Sequence, residues 1–387
     1  MYQIKTYNKI SKIGLTQFDS SKYEIGDAVE APVGAIVRSA ALHDEVFPKS
    51  LLAIARAGAG VNNIPVDRCA EEGIVVFNTP GANANAVKEL VLAGLFLASR
   101  KVAAGIDWAK TLKGNGAEVG KMVEKGKGSF VGPEIMGKTL GVVGLGAIGV
   151  LVANAASKLG MKVLGYDPYL SIKSAWSLSS STVYCSDLNE LYAKCDYITY
   201  HIPCTEETKG SVNKDAFAIM KDGVRILNFA RGELVNSNDM LEALASGKVA
   251  SYVVDFPSDE MLGVQNVVAI PHLGASTPES EDNCAYMAAN ELIDYIENGN
   301  IVNSVNMPAT SMPRSTDARI CVMHRNVPGV ISALTTALAE KSVNVEHMQN
   351  SSKGEMAYTI LDVDTIHDGI EEKLSAIDGV IRVRVIK

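Results

Sequence analysis

The feature that most constrains the fold of this chain is the run Gly144-Leu145-Gly146-Ala147-Ile148-Gly149. It follows a short apolar stretch, Leu140 to Val143, and opens an apolar-periodic stretch through Leu151, Ala155 and Leu159. Strand, glycine turn and helix in this order form half of a parallel βαβ unit, because a parallel partner strand is reached only through a crossover. The glycines have separate tasks. Gly144 permits the tight turn, Gly146 lets backbone N–H groups approach a pyrophosphate, and Gly149 lets helix and strand pack closely. The helix N-terminus, beginning at Ala147 and Ile148, offers unpaired N–H groups and a positive dipole end to the phosphates. The next strand, MKVLGY, ends at Asp167, about 20 residues on, where a carboxylate accepts both ribose hydroxyls and repels a 2′-phosphate. NAD, rather than NADP, is therefore the expected cofactor.

The same alternation runs on both sides of this loop. Upstream, AIVRSA, LLAIARAGAG and GIVVFNTP read as strands that end at Arg38, at a glycine turn and at Pro80. Val87, Leu90, Val91, Leu95 and Ala98 recur at helical spacing, which predicts a long buried helix. The Lys- and Gly-rich stretch from Lys110 to Gly128 reads as an irregular surface connection. Downstream, CDYITYHIP, VRILNFA, ASYVVDF and NVVAIPH are short apolar strands of the kind buried on both faces. A long helix through Tyr286, Ala289, Leu292 and Ile296 ends at Gly299. NMPATSMPRSTDAR has two prolines and little apolar content, so it reads as an interdomain linker. The remaining order, RICVMH, PGVISALTTALAEK, VNVEHMQ, MAYTILDV, HDGIEEKLSAI and VIRVRVI, is β-α-β-β-α-β, as in a ferredoxin-like unit.

Three polar positions follow apolar strands in the half that holds the glycine loop. Arg231 follows ILNFA; Asp255, Asp259 and Glu260 follow SYVV; His272 follows VVAIP. In an open parallel sheet, ligands bind beyond the carboxyl ends of the strands, so these groups are expected to converge. A histidine that titrates near neutrality can take and return the proton of a hydroxyl group while hydride leaves the same carbon. A carboxylate beside it fixes its tautomer, and an arginine clamps a substrate carboxylate and polarises the developing carbonyl.

Composition removes several other classes. At 387 residues, and roughly 100–200 residues per domain, two or three domains are expected. The net charge of −8 disfavours a nucleic-acid partner. No apolar run approaches the ~18–20 residues of a membrane span, and the N-terminus lacks the apolar segment of a secretory signal. A cytoplasmic location with reduced thiols is expected. The scattered cysteines show no metal-ligand spacing, and no metal is expected.

Taken together, NFARGELV, VVDFPSDE and PHLGAST after GLGAIG resemble the D-isomer-specific 2-hydroxyacid dehydrogenases, over nearly the whole chain before the linker. The resemblance implies an α/β fold of two doubly wound Rossmann-like domains around a cleft. It places a first part of a substrate-binding domain at 1–88, an NAD-binding domain at 89–275 and a return to the first domain at 276–306. A linker at 307–318 and a C-terminal domain at 319–387 follow. Arg231, Glu260 and His272 carry over as the acid–base and clamping set, with the adjacent Asp259 a rival for Glu260. Thr79, Ile202, Pro203, Ala230 and Ala275 match cofactor-lining positions, and Asp255 matches a contact to the nicotinamide amide. In ARAGAGVNNI, Gly58 and Gly60 match the loop that holds the substrate carboxylate, and Asn62 stands where the family commonly has Asp.

Arg38 and Arg56 match basic positions that receive a substrate phosphate in some members, which points to a phosphorylated 2-hydroxy acid. The C-terminal unit resembles an ACT domain, a small amino-acid-binding regulatory module. His324-Arg325-Asn326-Val327-Pro328-Gly329 and Asn344 match serine-binding positions, so L-serine is an expected effector, through His324, Asn326 and Asn344. The turn before the first helix and the start of the second strand are expected to be neighbours there. A homodimer or homotetramer is also expected. Two alternatives stay open on sequence: a relative acting on glyoxylate, hydroxypyruvate or 2-oxoglutarate, and a non-catalytic regulator that senses NAD state on the same scaffold.

Overall fold

The structure, a computed structural model, describes residues 1–387. The chain divides into two compact units, Met1–Asn83 with Pro278–Lys387, and Ala84–Thr277. In the first, strands β1 (Tyr2–Tyr7), β2 (Tyr23–Gly26), β3 (Gly34–Val37), β4 (Ala53–Arg56) and β5 (Val75–Phe77) form a parallel sheet in the order β2-β1-β3-β4-β5. The helix Pro278–Asn298 covers one face, setting Ala285, Ala288, Ala289, Leu292 and Ile296 against Ile4, Ile36, Ala53 and Ala55. Its run of alanines presents little bulk, and that lets helix and sheet approach closely.

The second unit is a seven-stranded parallel sheet. Its strands are β6 (Thr139–Val143), β7 (Lys162–Tyr166), β8 (Val183–Tyr184), β9 (Tyr197–Tyr200), β10 (Val224–Asn228), β11 (Val249–Val254) and β12 (Val267–Ala269). The order is β12-β11-β10-β9-β6-β7-β8, so the winding reverses between β6 and β9. Consecutive residues of a strand face opposite cores: Ile226 packs with Leu191, Phe217 and Met240, whereas Leu227 packs with Val91, Leu95 and Val142. The helices Ala84–Ser99 and Ala147–Lys158 lie on the second of these faces.

The stretch from Lys110 to Gly128 corrects the reading from sequence. It carries the end of the helix Val102–Thr111 and the helix Val119–Gly126, not an irregular connection. Its Lys, Glu, Ala and Met residues favour helix, and the Trp108 and Phe130 rings, 5.2 Å apart, hold its two ends together.

The C-terminal part of the first unit is an antiparallel sheet of β13 (Ala318–Arg325), β14 (Val345–Lys353), β15 (Met356–Val363) and β16 (Val380–Ile386), in the order β14-β15-β13-β16. Alternation sends Ile320, Val322, Leu361 and Val363 toward the helices Val330–Ala339 and Ile370–Ser375. Cys321, Met323, Tyr358 and Ile360 join the core of the parallel sheet instead, beside Phe77, Tyr295 and Ile296. The segment 307–318 is packed, with Met307, Thr310 and Met312 buried. Arg319, fully buried, explains how. Its guanidinium pairs with Asp362 through Nε and Nη2, at 2.6 and 3.0 Å, and donates to the carbonyls of Asn298, Met312 and Pro313. Each guanidinium nitrogen and both carboxylate oxygens of this buried pair have a partner, the condition under which such a pair is tolerated.

Candidate active site

The glycine turn lies at the carboxyl end of β6, beside the point where the strand order reverses. Gly144 has φ +91, and a Cβ there would come within 2.5 Å of the His201 carbonyl oxygen. A Cβ on Gly149 would come within 1.9 Å of the Gly144 oxygen, so the helix can begin this close to its own strand only without a side chain. Gly146 caps the helix, is exposed, and has nothing within 4 Å of where a Cβ would project. These features form a cradle with an open face at a helix N-terminus, which fits a dinucleotide pyrophosphate. Asp167 follows β7 and accepts the Leu145 N–H at 2.8 Å, which ties this carboxylate to the glycine turn. Ile202 reaches the same turn, and Pro203 beside it is exposed.

Sequence reasoning passed over His201. Its backbone N–H donates to the Val143 carbonyl, and its Nε2 lies 3.0 Å from Thr199 Oγ1. Burial pushes its pKa down to about 3, so it is a neutral wall of the turn. Its place directly after the apolar strand Tyr197–Tyr200 is the signal that could have found it.

Arg231 follows β10, Asp255 follows β11 and His272 follows β12, three adjacent strands of one parallel sheet. Asp255 is 1% exposed. Its carbonyl oxygen accepts the His272 N–H at 3.0 Å, and its two carboxylate oxygens accept the Leu273 and Gly274 N–H groups at 2.7 and 2.8 Å. Burial pushes its carboxyl up from the usual carboxylate range, and these backbone bonds oppose that. His272 has φ +51, a left-handed conformation that costs a non-glycine residue about 1–2 kcal/mol. The three bonds from Asp255 hold it there. The carboxylate that the resemblance assigned to a nicotinamide contact thus has both oxygens engaged with the loop that carries His272.

The imidazole makes no hydrogen bond or ion pair. It lies against the ring of Phe256, with centroids 4.3 Å apart. Arg231 donates to the Ala230 carbonyl at 2.7 Å, and its guanidinium carbon lies 5.4 Å from the centroid of the same ring. Arg231 and His272 are therefore brought together, through a residue that sequence reasoning did not select. Glu260 and Asp259 are not brought to His272. Both are exposed on the single turn Asp259–Met261, with no bond to the imidazole. Ala275 is half-buried after the Gly274 anchor.

In the first unit, Arg38 and Arg56 end neighbouring strands, where Val37 pairs with Arg56. Arg56 Nε donates to the Arg38 carbonyl at 3.2 Å, and Arg38 is ion-paired to Glu281 at 2.7 Å. Gly58 has φ +157, and a Cβ there would come within 2.3 Å of the Arg56 guanidinium; its carbonyl accepts the N–H of the buried Thr79 at 3.1 Å. Arg38, Arg56, Gly58 and Thr79 are therefore one cluster. Gly60, two residues on, is half-buried.

The C-terminal residues are not one cluster. His324 is buried, with Nδ1 2.8 Å from the Arg325 carbonyl and Nε2 2.9 Å from Thr359 Oγ1. Asn326 donates to the Gly354 carbonyl at 3.1 Å. Asn344 precedes β14, with its N–H on Asp364 and its side chain on Glu346. The expectation that these segments are neighbours is corrected. β15 lies between β13 and β14, and Asn344 is at the opposite end of the sheet from His324, roughly 20 Å away at about 3.3 Å per residue. The reason is topological: β13 and β14 run in the same direction, so the end of one cannot adjoin the start of the other.

Residues 93–274 match the model of the D-isomer specific 2-hydroxyacid dehydrogenase, NAD binding domain. The D-3-phosphoglycerate dehydrogenase of Escherichia coli is 32% identical over 352 residues, which cover 87% of this chain and 82% of that one. D-3-phosphoglycerate dehydrogenase 2 of Saccharomyces cerevisiae is 29% identical over 366 residues, 87% of this chain and 74% of its own. Among solved structures, the NAD+-bound 3-phosphoglycerate dehydrogenase of Entamoeba histolytica is similar at a TM-score of 0.60 and 25% identity, over 79% of this chain and 98% of that one. The glycine cradle with Asp167, the strand-end arrangement of Arg231, Asp255 and His272, and these likenesses agree, and the chain belongs to the family of D-isomer-specific 2-hydroxyacid dehydrogenases, with an NAD-binding domain in its second unit.

Proposed function

We propose that this chain oxidises 3-phospho-D-glycerate to 3-phosphohydroxypyruvate with NAD, the entry step of L-serine synthesis. The observation that carries the choice of substrate is the placing of Arg38 and Arg56 at the ends of adjacent strands, with Arg56 Nε on the Arg38 carbonyl and the Arg56 guanidinium beside Gly58. The names of the bacterial and yeast relatives support it.

Bound NAD supplies a hydride acceptor. His272 takes the hydroxyl proton as the carbon–hydrogen bond breaks, and in the reverse direction returns it to the carbonyl oxygen. Arg231 holds the carboxylate end and polarises the forming carbonyl. Gly58 and Gly60 offer backbone N–H groups to the carboxylate, and Arg38 and Arg56 receive the phosphate. Glu260, or Asp259 beside it, fixes the imidazole tautomer, which requires the turn Asp259–Met261 to move toward His272. Gly144, Gly146 and Gly149 admit the pyrophosphate, Asp167 reads the ribose, and Thr79, Ile202, Pro203, Ala230, Asp255 and Ala275 border the cofactor.

The test is a substrate panel followed at the NADH absorbance band. Phosphohydroxypyruvate should be reduced with a higher kcat/KM than hydroxypyruvate, glyoxylate or 2-oxoglutarate. One observation favours a second reading, an unphosphorylated 2-hydroxy acid: Glu281 already neutralises Arg38. A higher kcat/KM for an unphosphorylated acid would establish that reading. We also propose that the C-terminal sheet is an ACT-type module of a homo-oligomer that binds L-serine between copies, with Asn326 from one copy and Asn344 from another. Calorimetry that detects no serine binding would assign the module to assembly alone.

A further inference from the structure

We infer that Phe256 is the positioning residue for the acid–base group, a shared platform that sets the plane of the His272 imidazole and its distance from Arg231. The inference rests on the role proposed for His272. Three loops, after β10, β11 and β12, meet at this ring. Its centroid lies 4.3 Å from that of His272, with the planes at 43°, and 5.4 Å from the Arg231 guanidinium carbon. Asp255 fixes the His272 backbone but not its side chain, and no hydrogen bond or ion pair holds the imidazole. The aromatic contact is what orients it.

The local chain is built to allow this. Gly232 follows Arg231, and a Cβ there would meet the Phe256 carbonyl oxygen at 2.8 Å. The missing side chain lets the Arg231 loop and the Phe256 backbone approach until both cations can use one ring. Phe256 also borders a cavity of about 360 Å³ lined by apolar Val235, Val254 and Met261 and by polar Glu233, Ser237 and Ser258.

The chemistry gives the contact a use. When His272 accepts the substrate proton it becomes a cation beside Arg231, and the two repel. The face of a phenyl ring attracts a cation, which offsets part of that repulsion. The charged groups around the imidazole are Arg231 from the β10 end and Asp255 from the β11 end; Asp259 and Glu260 make no ion pair with it. A ring that both orients and stabilises the imidazolium acts on the proton-transfer step and not on substrate binding.

The test compares Phe256→Leu, which keeps apolar bulk without a π face, with Phe256→Tyr, which keeps the face. In Phe256→Leu, kcat should fall by about tenfold or more with KM nearly unchanged, as expected when a reacting group is misplaced. The histidine pKa in its pH–rate profile should fall by about half a unit, because a stabiliser of the charged form has been removed. Phe256→Tyr should retain both properties. A proton NMR titration of the His272 ring in each full-length variant reads the same pKa without turnover, so it stays informative if the substrate assignment is wrong or if a variant is inactive. An unchanged His272 titration in Phe256→Leu, or equal losses in the Leu and Tyr variants, would overturn the inference.

Discussion

Glu291 offers the most direct test of the physics inside the first unit. It sits on the buried face of the helix Pro278–Asn298, at 9% exposure. One carboxyl oxygen accepts Asn303 Nδ2 at 2.6 Å, and the other has no partner. Burial raises its pKa from 4.5 to about 7, with the Asn303 bond opposing. The folded-state value is therefore above the unfolded one. As pH rises past 4.5, the unfolded chain ionises this group while the folded chain keeps it neutral. Stability that is full below 4.5 is lost progressively up to about pH 7 and stays lost above it.

At about 1.4 kcal/mol per pH unit, the total loss is roughly 3 kcal/mol, of which roughly 2.5 falls between pH 5 and pH 8. Glu291→Gln keeps the acceptor for Asn303 and cannot ionise. Its amide also buries N–H groups without partners, which costs about 1–3 kcal/mol at every pH. The diagnostic is thus the slope and not the offset. Urea unfolding of both proteins at several pH values from 5 to 8 should show the variant gaining roughly 2.5 kcal/mol on the parent across that range. Parallel stability profiles would refute the account, because every other titrating group is common to the two proteins.

Replacement of His272 by Ala should cut turnover by about a hundredfold or more and leave NAD binding intact by fluorescence titration. Asp167→Ala should weaken NAD and narrow its kcat/KM advantage over NADP; it also removes the bond to the Leu145 N–H, so the melting temperature should fall. Arg38→Ala and Arg56→Ala should each raise KM for phosphohydroxypyruvate much more than for hydroxypyruvate, and equal effects on both would remove these residues from phosphate binding. Gly299→Ala should destabilise the first unit by about 3 kcal/mol, because φ is +74 and the new Cβ would lie 2.3 Å from Cys321 Sγ; thermal unfolding checks it.

Several of these features are legible in the sequence because they are local. The strand–glycine–helix run around Gly144 and the placement of Asp167 at the end of the next strand depend on spacing within one βαβ unit, and such spacing is written directly in the chain. The β-α-β-β-α-β order of the C-terminal part was legible for the same reason, since RICVMH and MAYTILDV are short apolar runs whose strand character is local. Arg231 and His272 could be placed at strand ends for the same reason.

What tertiary structure alone decided involves residues far apart in sequence that a sheet order brings together. Phe256 became the platform between Arg231 and His272 only because β10, β11 and β12 are adjacent. Both Asp255 oxygens were engaged by a loop that begins 17 positions later in the chain, a pairing with no local signature. The segment before Arg319 looked like a tether because it is poor in apolar residues. It packs because a single buried guanidinium collects its carbonyls and pairs with Asp362. Asn344 lay in the right motif but at the wrong end of the sheet from His324, since a chain records which strands exist and not which of them are neighbours. Local periodicity and turn chemistry are encoded residue by residue. Adjacency, burial and the partners of a charge exist only once the strands have chosen their order.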